Sequence, residues 1–304
     1  MMPTRREFLG TLGSLVAAGE TFSNSIQQPA NGYKLLVFAT NWGFQVTNKS
    51  NPWEEFAARA AGEGYDGVEV WVMNSEPERD LFLKTMEKYK LGFGLLCGSG
   101  EKDPVGHLEQ FKKAIDAALL MSPVYINCHS GRDYFNFEQN KKIVDYSYQA
   151  SKQRGTPVYH ETHRGRMLYS VPITANYLEQ LPELSLTLDI SHWCNVHESL
   201  LADQPEHVAI ALGRTGHIHA RVGHPEGPQV SDPRAPEWEQ AVQTHLNWWE
   251  KIAARKKQEG KILTVLTEFG PPDYLPALPY TRQPVADQWA LNVFMKDLVR
   301  KRLG

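Results

Sequence analysis

The segment 185–221, SLTLDISHWCNVHESLLADQPEHVAIALGRTGHIHAR, contains the pattern that decides the fold. It begins with a short apolar run at 185–189, continues with a helical pattern at 200–212 and ends with a second apolar run at 216–220. A strand, a helix and a second strand in this order form a βαβ unit with a right-handed crossover. The two strands of such a unit are parallel and lie in one sheet.

The same unit repeats along most of the chain. The predicted strands are 34–40, 67–72, 92–97, 124–128, 158–161, 185–189, 216–220 and 263–268. The predicted helices are 53–63, 78–89, 105–121, 138–154, 173–180, 200–212, 236–258 and 285–302. Strict alternation of eight strands with eight helices predicts an α/β protein with a single closed (β/α)8 barrel, the TIM barrel.

Composition and turn motifs exclude several classes of protein. The 304 residues are 41% hydrophobic and 22% charged, as in ordinary soluble globular proteins. A net charge of −3 argues against a nucleic-acid partner. The first predicted strand is followed by Asn41-Trp42-Gly43 rather than by a Gly-x-Gly-x-x-Gly turn, so no dinucleotide site is expected. The three cysteines have no paired spacing and are predicted to be buried free thiols: Cys97, Cys128 and Cys194.

The first 30 residues differ from the rest of the chain. Residues 4–10 read TRREFLG and include two adjacent arginines, and residues 11–18 form a short, weakly apolar stretch that ends in small side chains. This order is typical of a twin-arginine export signal. The apolar stretch is too short to span a bilayer, which needs about 20 residues. We therefore assign residues 1–30 to a signal peptide and linker, and 31–304 to the barrel domain. We expect a periplasmic protein without a stable membrane anchor.

Polar residues collect where the predicted strands end. Because the carboxyl ends of the strands in a parallel barrel surround one mouth, these residues should lie close together. Strands five, six, seven and eight end with, or contain, Glu161, Asp189, His219 and Glu268. Seven of the 11 histidines also lie at or just beyond strand ends, at positions 129, 160, 163, 192, 217, 219 and 224.

Glu161, Asp189, His219 and Glu268 together predict a metal site. Buried carboxylates that converge at one mouth repel one another unless a cation lies between them. Three carboxylates and one imidazole form a mixed oxygen and nitrogen set that suits Mn²⁺, Co²⁺, Mg²⁺ or Zn²⁺, and the absence of sulfur argues against a structural zinc site. We predict one divalent metal ion, with Mn²⁺ favoured.

Several of these segments resemble the sugar phosphate isomerase/epimerase group of the xylose isomerase-like TIM barrel superfamily, which includes D-tagatose 3-epimerase and relatives of apurinic endonuclease. DGVEV at 66–70 is similar to the group's second-strand segment, LDISH at 188–192 to its sixth and GHIH at 216–219 to its seventh. The resemblance covers the whole barrel. It implies a metal-dependent sugar enzyme in which Glu161 and Glu268 both bind the metal and transfer the substrate proton.

Five further residues are predicted to bind the substrate: His192, Arg221, His224, His129 and Trp42. Instead of binding the substrate, His192 could orient Asp189. Arg221 could instead pair with Glu226 or Asp232 and hold the loop in place. The ketose epimerases have an arginine six residues beyond the seventh-strand histidine, but this chain has Pro225 there. The sugar is therefore not predicted from the resemblance.

The leading functional hypothesis is a divalent-metal-dependent isomerase or epimerase of a small carbohydrate, which acts through an enediolate. One alternative uses the same enolisation to cleave a 3-keto-glycoside by β-elimination, and predicted export favours it slightly. The other alternative is a non-catalytic sugar-binding barrel. The tryptophan-rich segment 236–258 leaves open either packing on the barrel or a homo-oligomer contact.

The export hypothesis predicts that replacement of Arg5 and Arg6 by lysines keeps the protein in the cytoplasm. The wild-type chain should be cleaved near residue 20 and recovered from the periplasm. Cell fractionation followed by N-terminal sequencing measures both results. Unchanged export of the double-lysine variant would show that the twin-arginine interpretation is wrong.

Overall fold

The structure is a computed structural model that describes residues 32–304. The predicted export signal lies outside the described residues and stays a prediction. Within the described part, eight parallel strands pair in chain order and the last pairs with the first, which closes the barrel. The strands are β1 (Lys34–Thr40), β2 (Gly67–Trp71), β3 (Gly92–Gly98), β4 (Tyr125–His129), β5 (Val158–Glu161), β6 (Leu186–Leu188), β7 (Thr215–Ala220) and β8 (Ile262–Thr267). The predicted TIM barrel is confirmed.

The helices surround the barrel. They are α1 (Glu54–Gly62), α2 (Glu76–Tyr89), α3 (Pro104–Leu120), α4 (Phe137–Arg154), α5 (Val171–Gln180), α6 (Ser191–Val196), α7 (Pro205–Arg214), α8 (Glu239–Gln258) and α9 (Gln288–Leu303), with a 3₁₀ turn at Pro236–Trp238. No helix within residues 32–304 has both the length and the apolar character needed to cross a bilayer.

Local sequence explains where helices begin and end. The Asp103 side chain accepts hydrogen bonds from the backbone N–H groups of Val105 and Gly106 at the start of α3. Asn136 and Gln139 form a reciprocal capping box at the start of α4. Gly155 ends α4 with a left-handed φ of 73°, a conformation that glycine adopts without steric cost.

The segment between β6 and β7 differs from the prediction in two ways. A short helix that was not predicted, α6, follows β6 directly. The helix predicted at 200–212 begins at Pro205 instead, because Glu198 and Leu201 adopt positive φ values of 48° and 57° that no helix continues. Proline then occupies the first helical position, where its missing N–H costs nothing.

The floor of the barrel is filled with aromatic rings. The ring of Tyr125 lies 4.2 Å from that of His217 and 5.2 Å from that of Phe38, between centroids. Glycines on neighbouring strands provide the space: a Cβ on Gly94 would lie 2.3 Å from Tyr125 Cζ, and one on Gly216 would lie 2.0 Å from Tyr159 Cε1. The rings therefore close the floor end of the barrel interior within residues 32–304.

The structure shows how the tryptophan-rich helix and the three cysteines are packed. Trp248, Trp249 and His245 are buried inside the chain, so these side chains of α8 pack on the barrel rather than form an exposed contact. All three cysteines are free and buried, as predicted.

Replacement of Gly94 by alanine should lower the free energy of unfolding by ~1–3 kcal/mol, because the new methyl group overlaps the Tyr125 ring. The matched control is Gly213→Ala in α7, where nothing lies within 4 Å of the added Cβ. That variant should be as stable as wild type or more stable by up to about 1 kcal/mol. Urea denaturation measures both. Equal stability of the two variants would contradict the packing described here.

Candidate functional site

A cavity of about 430 Å³ opens at the carboxyl ends of the strands. This is the face at which TIM barrels place their active sites, and the volume suits a small organic ligand. The lining side chains include acids, histidines, one arginine and aromatic rings: Trp42, Glu69, Trp71, His129, Glu161, His163, Arg221, Glu268 and Tyr274.

The four predicted metal ligands lie at this cavity: Glu161 and Glu268 line it, and Asp189 and His219 are buried beside them. Asp189, His219 and Glu268 each offer an atom within 4.8 Å of the other two, and Glu161 is equally close to Asp189. His219 Nδ1 lies 2.9 Å from Glu268 Oε2 and 3.8 Å from Glu161 Oε2. All four residues are buried. Asp189, His219 and Glu268 thus form one group of possible ligand atoms, and Glu161 adjoins it through Asp189 and His219.

The charges at this point favour a bound cation. Burial alone would raise the pKa of Glu161, but His129 and His219 outweigh it and hold the pKa well below its usual range. Burial raises the pKa of Asp189 to about 6. Burial would lower the pKa of His219, yet Glu268 and Glu161 raise it well above its ordinary value. The carboxylates therefore stabilise positive charge at His219, which is the kind of charge that a metal ion bound in place of the proton would supply.

Arg221 is the buried cation of the site. Its Nη2 donates to Asp189 Oδ2, lies 2.9 Å from His192 Nε2 and 3.4 Å from Glu268 Oε2, and its Nε donates to Ser191 Oγ at 3.2 Å. The alternative in which Arg221 pairs with Glu226 or Asp232 is wrong. Alternation along β7 continues into residue 221, so its side chain points into the barrel mouth beside His219.

Of the other predicted substrate residues, two line the cavity and two do not. His129 and Trp42 line the cavity, and His129 Nε2 lies 3.1 Å from Glu161 Oε2. His192 is fully buried, 3.5 Å from Asp189 Oδ2, which is the geometry of its alternative orienting role. His224 does not reach the cavity. It pairs with Gly227 in a tight turn, and its ring lies 4.7 Å from that of Trp238, between centroids, at a tilt of 42°.

Sequence reasoning missed Glu69 and Asn127. Glu69 on β2 is buried with Oε1 3.5 Å from His219 Nε2 and Oε2 3.5 Å from His217 Nε2. A carboxylate behind a ligand histidine fixes its tautomer and ring orientation. Asn127 Nδ2 donates to Glu161 Oε2 at 2.8 Å. The sequence did contain a signal for Glu69, since an acidic residue within the otherwise apolar run GVEVW indicates a buried carboxylate.

Aromatic rings form one wall of the cavity. The guanidinium carbon of Arg221 lies 4.8 Å from the Tyr274 ring centroid and 5.9 Å from that of Trp42. Trp42 and Tyr274 meet edge to face at 4.8 Å. These rings pack against the charged cluster and stabilise the arginine through cation–π contacts.

Comparison with known proteins finds similar proteins by structure alone. No protein-family model matches the sequence, and no curated protein sequence matches it. A D-allulose 3-epimerase from Methylomonas sp., in complex with D-allulose, superposes with a TM-score of 0.58 at 16% identity, over 91% of this chain and 100% of that one. A 3-keto-D-glucoside 4-epimerase from E. coli gives 0.57 at 13% identity, over 88% and 100%.

A sugar phosphate isomerase/epimerase from Parabacteroides distasonis gives a TM-score of 0.54 at 13% identity, over 89% of this chain and 94% of that one. At such identities the likeness establishes the fold. This chain has the barrel fold of the sugar phosphate isomerases and epimerases. The resemblance predicted from the strand-end motifs is therefore confirmed at the level of the fold.

Arg221→Ala should strongly destabilise the protein in the presence of a chelator, because it leaves Asp189 and Glu268 buried without their guanidinium. The expected loss in the free energy of unfolding is ~3–5 kcal/mol, the range for removal of one partner of a buried ion pair. The control is Arg234→Ala, whose pair with Asp232 is partly exposed, with an expected loss below about 1 kcal/mol. Chemical denaturation near pH 8 compares them. Losses of equal size would contradict the assigned role of Arg221.

Proposed function

We propose that this protein is a divalent-metal-dependent isomerase or epimerase of a small carbohydrate. The observation that carries the proposal is the convergence of Glu161, Asp189, His219 and Glu268 at one cavity. In this proposal the four residues bind one ion, with Mn²⁺ favoured, and the two glutamates also act as acid and base. The structural neighbours that are sugar epimerases support this choice of reaction.

The cavity supports a carbohydrate substrate. A volume of about 430 Å³ accommodates a sugar, and the partly exposed rings of Trp42 and Trp71 offer flat surfaces for its C–H faces. Arg221 Nη1 has no hydrogen-bond partner within residues 32–304, while its Nη2 and Nε are occupied. We assign Nη1 the role of donor to a substrate oxygen.

The proposed reaction moves a proton between carbon and the two glutamates. His129 and His219 hold the pKa of Glu161 well below its usual range, which favours its carboxylate form. The proposal gives this carboxylate the role of accepting the proton next to the substrate carbonyl. Asn127 and His129 hold that carboxylate in place. Glu268 follows β8 and approaches the substrate from a different part of the ring, from which it returns the proton. When bound, the ion would polarise the carbonyl and stabilise the negative charge of the enediolate.

A second candidate function is β-elimination from a 3-keto-glycoside, which begins with the same proton removal. The observation that favours it is Trp71, which stands half-exposed between the main cavity and a neighbouring groove lined by Gly98, Glu101 and Lys113. That groove offers room for a second sugar ring. The predicted periplasmic location, which we also propose, agrees with a glycoside substrate.

Glu161→Gln and Glu268→Gln should each lower turnover by ~10²–10⁴-fold or more, because the amide cannot exchange a proton. The melting temperature should stay near that of wild type. The control is Glu237→Gln on an exposed turn, which should leave turnover unchanged. Ketohexoses and 3-keto-glucosides are incubated with the Mn²⁺-loaded protein in deuterated water, and NMR detects deuterium next to the carbonyl.

The products distinguish the candidates. Deuterated sugar epimers support the isomerase or epimerase, whereas release of the aglycone supports elimination. Near wild-type turnover in either glutamine variant would contradict the two-glutamate mechanism. Sugar binding without metal or exchange would identify a non-catalytic barrel.

A further inference from the structure

Two partly buried arginines, Arg132 and Arg166, lie in the loops after β4 and β5, and neither lines the cavity. The two loops touch each other, because the Met167 N–H donates to the carbonyl oxygen of Ser130 at 3.1 Å. Arg166 directly precedes Met167, and Arg132 lies two residues beyond Ser130. Both arginines therefore belong to one stretch of the barrel rim, above β4 and β5.

Neither guanidinium is neutralised by a carboxylate in the described part of the chain. Arg132 Nη2 donates to the carbonyl oxygen of Gly100 at 3.1 Å, but the Nε of Arg132 is buried without a hydrogen-bond partner. The side chain of Arg166 forms no hydrogen bond or ion pair with any described residue, and its Nη1 is buried. Buried donors without a partner are rare in folded proteins, because each one costs free energy.

A histidine beside the arginines adds a third nitrogen without a partner. His107, in the first turn of α3, is fully buried. Its Nδ1 lies 3.0 Å from the carbonyl oxygen of Glu101, which can only accept a hydrogen bond, so the ring proton is on Nδ1. Its Nε2 has no hydrogen-bond partner among residues 32–304. In this tautomer Nε2 can accept a hydrogen bond, or a proton, from a ligand.

The charges of the three side chains act on one another. Burial lowers the pKa of Arg166, and the charge of Arg132 lowers it further. Glu161 and Asp133 oppose this shift without forming an ion pair with Arg166. Burial also lowers the pKa of His107, and both arginines add to that effect against its hydrogen bond to the carbonyl. Positive charges held together in this way are stabilised by an anion between them.

We propose that Arg132, Arg166 and His107 bind a small tetrahedral oxyanion, such as phosphate, on the rim beside the cavity. A guanidinium binds an oxyanion through two parallel N–H donors, and the Arg166 donors are all free within the described residues. Phosphate suits His107 better than sulfate or a carboxylate, because at neutral pH it still carries a proton to donate to Nε2. The inference goes beyond the proposed function and does not depend on it.

Phosphate binding is measured on the full chain after removal of metal with EDTA. The protein is titrated with sodium phosphate by isothermal calorimetry near neutral pH and at constant ionic strength. We expect one phosphate per chain, and a higher melting temperature in phosphate than in chloride. Sulfate and acetate should bind more weakly. Equal binding of all three anions would overturn the part assigned to His107.

Variants of one arginine test the site. Arg166→Gln should weaken phosphate binding ~10-fold or more, the effect of losing a hydrogen bond to a charged group. Arg166→Lys, which keeps the charge but loses the fork of donors, should have an intermediate affinity. The matched control is Arg79→Gln in α2, a partly buried arginine that donates to the Met73 carbonyl oxygen, and it should bind phosphate as wild type does.

Stability without phosphate provides a second measurement. Arg166→Gln should then be at least as stable as wild type, because Arg166 forms no hydrogen bond or ion pair with a described residue that the variant would lose. A clear loss of stability would show that the guanidinium supports the loops, and it would overturn the inference.

Competition identifies the source of the phosphate group. A phosphorylated ketohexose can bind the Mn²⁺-loaded protein more tightly than the free sugar and lose this advantage in Arg166→Gln. That result would support the site and show that the substrate carries the oxyanion. Simultaneous binding of phosphate and sugar without competition would support a site for a free ion.

Two results refute the site and leave the proposed function intact. One is the absence of phosphate binding by wild type, and the other is equal binding by wild type and Arg166→Gln. Absence of turnover by the Mn²⁺-loaded protein would instead contradict the proposed function and leave the phosphate titration unaffected.

Discussion

The buried contact between Arg221 and the carboxylates of Asp189 and Glu268 is the interaction on which this mouth of the barrel depends. Three acidic side chains from β5, β6 and β8 meet where solvent is largely excluded, and without a cation their repulsion would force them apart or leave them protonated. Arg221 is 2% exposed and supplies that charge from within the chain. The rings of Tyr274 and Trp42 pack on its guanidinium and hold it in place.

The fold could be predicted because the strands and helices are encoded locally. The first strand, residues 34–40, was predicted with its observed bounds, since a parallel-barrel strand is a short apolar run between turn signals. The predicted start of α7, at residue 200, was wrong. Leu201 extends the apolar pattern of the helix, but it adopts a positive φ that the helix cannot include. α6 was missed because SHWCNV is short, has no side-chain cap and begins only three positions after the last residue of β6.

The four candidate metal ligands could be predicted because their strands could be predicted. The ends of parallel strands share one face of the barrel, so positions 161, 189, 219 and 268 had to be near one another whatever the loops did. The partners of Arg221, and the place of Glu69 behind His219, depend on contacts across the barrel that strand periodicity does not encode. His224 was misplaced because the alternation of strand β7 does not continue into the four-residue turn that His224 closes with Gly227.

The position of Arg221 departs from the pattern that the sequence resemblance led us to expect. That pattern has an arginine six residues after the seventh-strand histidine, whereas Arg221 lies two residues after His219 and contacts the candidate ligands themselves. A metal ion at the proposed site and the guanidinium would share Asp189 and Glu268. Such sharing would lower the affinity for an ion, because part of each carboxylate's charge is already balanced. In return, the guanidinium holds the two carboxylates close together, so that the proposed site would be organised in advance of binding.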